Sequence, residues 1–256
     1  MKLYERFGLN SANVDPEILI DVIKGDEEAI EEGHEDWERN LNSLATNRAV
    51  IAVCYYLMED FKRSRKYANE SIAAAMEFFF GNWRQKQPTE NDEIDPEWWH
   101  ENETWTDLFR LSLFWASVID DWKSLRRLAS YPDDKSGTDV ETTPAQRQLY
   151  LEISEFIRSD GKLKIKSKVS KLKGADRHGA AAAAVCLENL SAKDLSSTQN
   201  AMDSIFQKHA KARNSDDLTD TICVDGTLML NLARHFNVDV KLDPKFEHYF
   251  VAMEKP

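Results

Sequence analysis

The sequence predicts an all-α protein, an irregular bundle of antiparallel helical hairpins that is α-solenoid or TPR-like in part. Three observations predict it. Apolar residues recur at three- and four-residue spacing through most of the chain. Only 9 Gly and 7 Pro punctuate 256 residues, too few for an all-β or glycine-loop-rich architecture. Several stripes are separated by very short turns, which makes adjacent helices fold back on one another.

The first helix opens at Asp15-Pro16-Glu17, with Asp as N-cap and Pro in the first turn. Its apolar residues Ile18, Leu19, Val22, Ile23 and Ala29 cover one side only. A second helix runs from about Glu35 to Met58 on the stripe Trp37, Leu41, Leu44, Ile51, Tyr55 and Met58. Arg48 lies in that row, either as a stem reaching out to water or as a buried cation paired to a carboxylate; the first is preferred. A third helix, about Asp60 to Trp83, carries Phe61, Ala68, Ile72, Ala75, Met76, Phe79 and Trp83, and Gly81 and Pro88 end it. The polar stretch 85–103 reads as a long loop with a turn at Pro96-Glu97-Trp98-Trp99.

The fourth helix, about Thr104 to Ile119, is apolar around its girth and so should be central. Asp120-Asp121 marks a corner, and a fifth helix carries Trp122, Leu125, Leu128 and Ala129. A sixth begins at Thr143-Pro144 and buries Leu149, Ile153, Phe156 and Ile157. The following Lys-rich segment fits a strand through Leu163, Ile165, Ser167 and Val169, or a helix through Ile165, Val169 and Leu172; its neighbours favour helix. The alanine run 180–184, the stretch 193–213 and the stripe Met229, Leu232, Ala233, Phe236 give three more helices, with Asn237 as the last C-cap. The tail Phe246, Tyr249, Phe250, Val251 and Met253 is too apolar to stay in water and should dock. The chain thus reads as a single domain over 1–256. It divides into an acidic helical half, 1–132, and a neutral helical half, 143–256, with a linker at 133–142.

Charge is lopsided. Residues 1–140 hold 16 basic against 29 acidic residues, a net of -13, and residues 141–256 hold 17 against 16, a net of +1. From Asp15 to Glu38 there are 11 acids and one base, and from Glu90 to Asp107 there are 8 acids and none. Such stretches serve as solvated faces, as a surface that steers a cationic partner, or as counter-charge for the protein's own Lys162–Lys173 segment. The overall charge of -12 makes nucleic acid a poor partner. Mean hydropathy is -0.56, and no apolar run is long enough to span a membrane. Three scattered cysteines without a CxxC pair fit a reducing compartment. The start Met1-Lys2-Leu3-Tyr4-Glu5-Arg6 lacks the apolar centre of a secretory signal, so a cytoplasmic location is expected.

Motifs for chemistry are incomplete. His34-Glu35 and His100-Glu101 begin a zinc HExxH, but Glu38 and Thr104 stand where the second His is needed. Asp120-Asp121 begins an aspartate-rich magnesium motif that Ser124 breaks. Cys54, Cys186 and Cys223 lie in apolar stretches that raise a thiol's pKa. Glu28 and Glu32 could share a helix face as an acid–base pair, a spacing that arises by chance in a helix so acidic. No cofactor or metal is expected, and no catalytic residue is assigned. A helical enzyme would need distant groups to converge, and His209, His235, Arg48 and Asp120-Asp121 are the candidates.

The run Trp105-Thr106-Asp107-Leu108-Phe109-Arg110-Leu111-Ser112-Leu113-Phe114-Trp115-Ala116-Ser117-Val118-Ile119-Asp120-Asp121, followed by Leu125-Arg126-Arg127-Leu128-Ala129, resembles the middle of the bacterial immunity protein 49 family. The later run from Asp225-Gly226-Thr227-Leu228-Met229 to Phe236-Asn237-Val238 resembles that family's closing helix and short tail. The two cover under a fifth of the chain. The resemblance implies an all-α protein that binds and neutralises a toxin in the producing cell, without catalytic residues. The Lys-rich segment and the acidic Trp-containing loop depart from it.

The expected function is therefore non-enzymatic capture of a protein partner, a basic toxin domain if the resemblance holds. The expected contacts are Glu27, Glu28, Glu31, Glu32 and Asp36 on the acidic helical face, and Asp92, Glu93, Asp95, Trp98 and Trp99 in the loop. The alternative is a helical scaffold that holds a peptide or protein in a groove.

Overall fold

A computed structural model describes residues 2–33, 37–81, 105–131, 144–164, 166–172, 175, 179–213 and 218–253. The described residues form nine α-helices with short 3-10 turns between them, and no strand occurs among them. The helices are α1 (Glu17–Glu31), α2 (Trp37–Leu57), α3 (Phe61–Phe80), α4 (Trp105–Val118) and α5 (Trp122–Leu128). They continue with α6 (Pro144–Arg158), α7 (Ala180–Ala192), α8 (Leu195–Ala212) and α9 (Val224–His235). The all-α class read from the sequence is the class observed. The linker 133–142 and the loop 85–103 lie outside the described residues.

Three helix-to-helix corners share one device. Glu59, Asp120 and Lys193 each adopt the left-handed conformation, at φ 62, 65 and 56. The next residue in each case is an aspartate that caps the following helix. Asp60 accepts from the Arg63 N–H, Asp121 from Ser124 and Asp194 from Ser197, at 3.0, 3.1 and 3.0 Å. The left-handed residue reverses the chain, and the carboxylate fills one of the donors left open at a helix start. Asp121 is thus a cap, which accounts for the second half of the failed magnesium motif.

Close approach of α2 and α3 comes from small residues and two buried hydroxyls. Ser64 and Ser71, seven apart on α3, donate to the α2 carbonyls of Ala52 and Ala45, each at 2.7 Å. Alanines 45, 49, 52, 68 and 75 are buried along this seam. Helix α4 packs against α2, α3 and α9, as its girth of apolar residues predicts. Trp115, fully buried, donates its indole N–H to the Ala49 carbonyl at 3.2 Å. The apolar tail docks on the same body. Phe246, Tyr249, Phe250, Val251 and Met253 are buried, Cys223 N–H donates to the Tyr249 carbonyl at 2.8 Å, and the Tyr56 hydroxyl donates to the Phe250 carbonyl at 3.1 Å.

Two local readings are corrected. Pro16, not Asp15, occupies the cap position of α1; Asp15 instead accepts from the Glu17 N–H at 3.1 Å. The Lys-rich segment is not helical where it is described, apart from one 3-10 turn at Val169–Lys171. Along it Lys162, Lys164, Lys166 and Lys168 are exposed, and Leu163 and Ser167 are partly buried. Side chains on α6 and α7 replace the hydrogen bonds of a helix. Ser191 accepts from Leu163 N–H at 2.8 Å, Glu188 from Ser167 at 2.6 Å and Glu152 from Lys168 at 3.1 Å.

Candidate functional site

Helix α1 presents two different sides. Ile23 is buried against the body, and its neighbours on that side are tied to α2. Asp26 accepts from the Ser43 hydroxyl at 2.6 Å, and Glu27 forms a short ion pair with Arg48. The Arg48 side chain is only 15% exposed, so the buried-pair reading replaces the preferred reading of a stem reaching to water. Of the expected contact residues, Glu27 is thus half committed to the protein's own arginine. Glu28, Glu31 and Glu32 are exposed. On the outer side, Ile18 is 79% exposed, Val22 is exposed as well, and Gly25 and Ala29 continue the same row at helical spacing. Asp21, Glu28 and Glu32 flank that row. The Ile18–Val22 pair was legible in the sequence only as half of an apolar side; the fold turned it outward. Asp36, Asp92, Glu93, Asp95, Trp98 and Trp99 lie outside the described residues.

A second constellation lies where α2, α4, α6 and α8 meet the segment leading into α9. It borders an open pocket of about 410 Å³. On α8, Ile205, Lys208, His209 and Ala212 follow helical spacing and form one wall. Arg110 of α4 and Asp225 in the first turn of α9 line the pocket as well. Asp225 Oδ1 accepts a short hydrogen bond from the Tyr150 hydroxyl and another from Arg110 Nε at 3.1 Å. Burial opposes the Arg110 charge, but Asp225, helped by Tyr150 and Asp107, more than offsets it, and the guanidinium holds its proton more tightly than usual. Burial, and then the Asp225 charge, push the Tyr150 hydroxyl well above the ordinary tyrosine range, so it remains a donor. Neither Arg110 nor Asp225 was singled out as functional from the sequence. The signal was present: Arg110 is the one charged residue between Asp107 and Asp120.

His209 lines this pocket, and its ring meets Tyr249 edge-on at 5.2 Å. Burial lowers its pKa to about 4; Asp220 and Asp225 raise it, while Arg110 and Arg213 lower it further. The imidazole is neutral at pH 7. Because the folded value lies below the ordinary 6.5, the stability this group confers is complete above pH 6.5 and drains away as pH falls toward 4. Urea unfolding of His209→Gln across that interval should give a flatter pH dependence than the wild type; parallel curves would refute the assignment.

The other residues that a helical enzyme would need do not converge there. His235 stacks on Trp122 at 3.6 Å, and Asp120 accepts from the Trp122 indole at 2.5 Å. Arg48 belongs to the α1 pair. Burial pushes the Cys54 and Cys186 thiols up to about 12, and burial together with Asp225 raises Cys223. Among the described residues no three His, Cys, Asp or Glu side chains cluster as a metal site would require, and no helix is long and apolar enough to cross a membrane. Compared with protein-family models, curated proteins and solved structures, the chain gives no match.

Proposed function

We propose that this protein captures a basic protein partner on the outer face of α1, and that the partner is a toxin domain which it neutralises. The observation that carries the reading is the placement of charge and apolar surface on that helix. Glu28 and Glu31 lie in the last turn of α1, Glu32 caps it, and no basic residue lies in that turn, while Glu27 is held by Arg48. The C-terminal end of a helix is the negative end of its dipole, and glutamates four apart repel, so these positions cost stability. A cationic partner relieves both terms. Ile18 and Val22, exposed toward the other end of the same helix, supply the apolar contact that charge alone lacks. The resemblance to the immunity protein 49 family specifies the partner as a toxin.

The test is affinity capture from the native host with wild-type protein and with Ile18→Asp/Val22→Asp as bait. The expected partner is basic, is released by salt, is lost with the double variant, and is toxic unless wild-type protein is co-expressed. A partner retained equally by the double variant, or one whose toxicity is not relieved, overturns the reading. Glu28→Gln/Glu31→Gln should raise the unfolding midpoint while slowing association, the combination expected of charges kept for binding.

A further inference from the structure

We infer that the segment Lys162–Lys171 is a docking surface for a second copy of this chain, which seats the acidic C-terminal end of its α1 there. From Lys162 to Lys173 there are six lysines and no acid. Lys162, Lys164, Lys166, Lys168 and Lys171 are exposed, and among the described residues none of these ammonium groups pairs with a carboxylate. Glu188 and Glu152 touch the segment, but they accept from its backbone, at Ser167 and Lys168. Those bonds, together with the fully buried Val169, fix the backbone that carries the lysines. Like charges held close together repel, and a fixed group of them is pre-organised for an acidic surface.

The chain itself carries the complementary surface. Glu28 and Glu31 are exposed at the end of α1, three apart and so neighbours on the helix, and neither is paired among the described residues. The helix dipole adds negative potential at that end. Because these glutamates and lysines do not neutralise one another within the molecule, their complementarity is left to be met between molecules. Each side also has an exposed apolar side chain: Val22 on α1, and Val185 on α7, three residues before the Glu188 that holds the lysine segment. A net charge of -12 makes two copies repel at a distance. At physiological salt, however, charges farther apart than about 8 Å are largely screened, whereas pairs brought together in a contact are screened much less. A two-fold dimer makes the contact twice. A basic partner on α1 would use the same carboxylates, so capture and self-association exclude each other. The present inference needs no outside partner and stands apart from the capture reading.

The experiment is sedimentation velocity of the purified full chain over a concentration series, at about 0.05 M and about 0.5 M salt. Wild-type protein should associate at the lower salt and dissociate at the higher. Reversing either side, by Lys164→Glu/Lys166→Glu/Lys168→Glu or by Glu28→Lys/Glu31→Lys, should weaken association at least about tenfold. All five positions are exposed, so the unfolding midpoints should stay near that of the wild type. Mixing the two reversed chains should restore association, because each then offers the sign the other lacks. A chain that is monomeric at every concentration, association that either reversal leaves intact, or folded reversed chains that fail to associate when mixed would overturn the proposal. A monomeric chain that sediments with phosphatidylserine vesicles would overturn it in favour of an anionic membrane.

Discussion

Replacing Asp225 by Ala should cost about 3–5 kcal/mol of unfolding free energy, nearer the lower end, because one member of a buried ion pair is removed and the other is left behind. Asp225 is the common acceptor for the Tyr150 hydroxyl and the Arg110 guanidinium, and its side chain is 8% exposed against 22% for Arg110. The residual exposure of Arg110 lets some water reach the orphaned charge, which moderates the loss. Removing charge and partners together is different in kind. The triple variant Arg110→Met/Tyr150→Phe/Asp225→Leu should recover most of the stability lost by Asp225→Ala, since no group is left without its counterpart. Urea unfolding followed by tryptophan fluorescence measures both. A loss below about 1 kcal/mol for the single variant, the scale of an exposed ion pair, would mean that the pair is not buried in solution.

Trp115→Ala should be comparably severe, with a loss of about 3–5 kcal/mol. The indole is fully buried between α4 and its neighbours, meets Phe114 edge-on at 4.8 Å, and donates to the Ala49 carbonyl of α2. The alanine variant empties that space where α2, α3 and α9 all press on α4, so little of the cavity can collapse. Trp115→Phe keeps much of the volume and loses the indole hydrogen bond, and should cost distinctly less. Equal losses for the two variants would place the energy in the hydrogen bond instead of in packing.

Helical spacing in the sequence identified the main helices near their observed positions, because each buries one stripe whatever it packs against. Asn237 was also legible as a terminator, and it adopts φ 59 just past α9. The stripe of α3 was not read perfectly: Phe61, placed on it, is exposed, while Phe78, left off it, is buried. Periodicity fixes which residues share a face but not how many neighbours a helix has, and α2, with residues 51–57 all buried, has contacts all round. The Lys-rich segment failed for a related reason. Its backbone donors are satisfied by Ser191, Glu188 and Glu152, residues that no local pattern could nominate.

The acidic character of α1 was visible from composition alone, since counting charges needs no coordinates. The pocket was not. His209 could be placed on a buried stripe, but Arg110, Tyr150 and Asp225 are separated by 115 and 75 positions along the paired contacts that unite them. What the sequence determined by itself was local: the helices, the corner at Asp120-Asp121, the charge imbalance and the apolar tail. Each follows from spacing within a few residues, where backbone geometry sets the distances. Only the tertiary structure decided that Arg48 would claim Glu27, that Ile18 would face outward, and that one carboxylate would hold an arginine and a tyrosine at the edge of a pocket. Those outcomes depend on which helices meet, and burial makes an ionic group conditional on a partner that chain distance does not reveal.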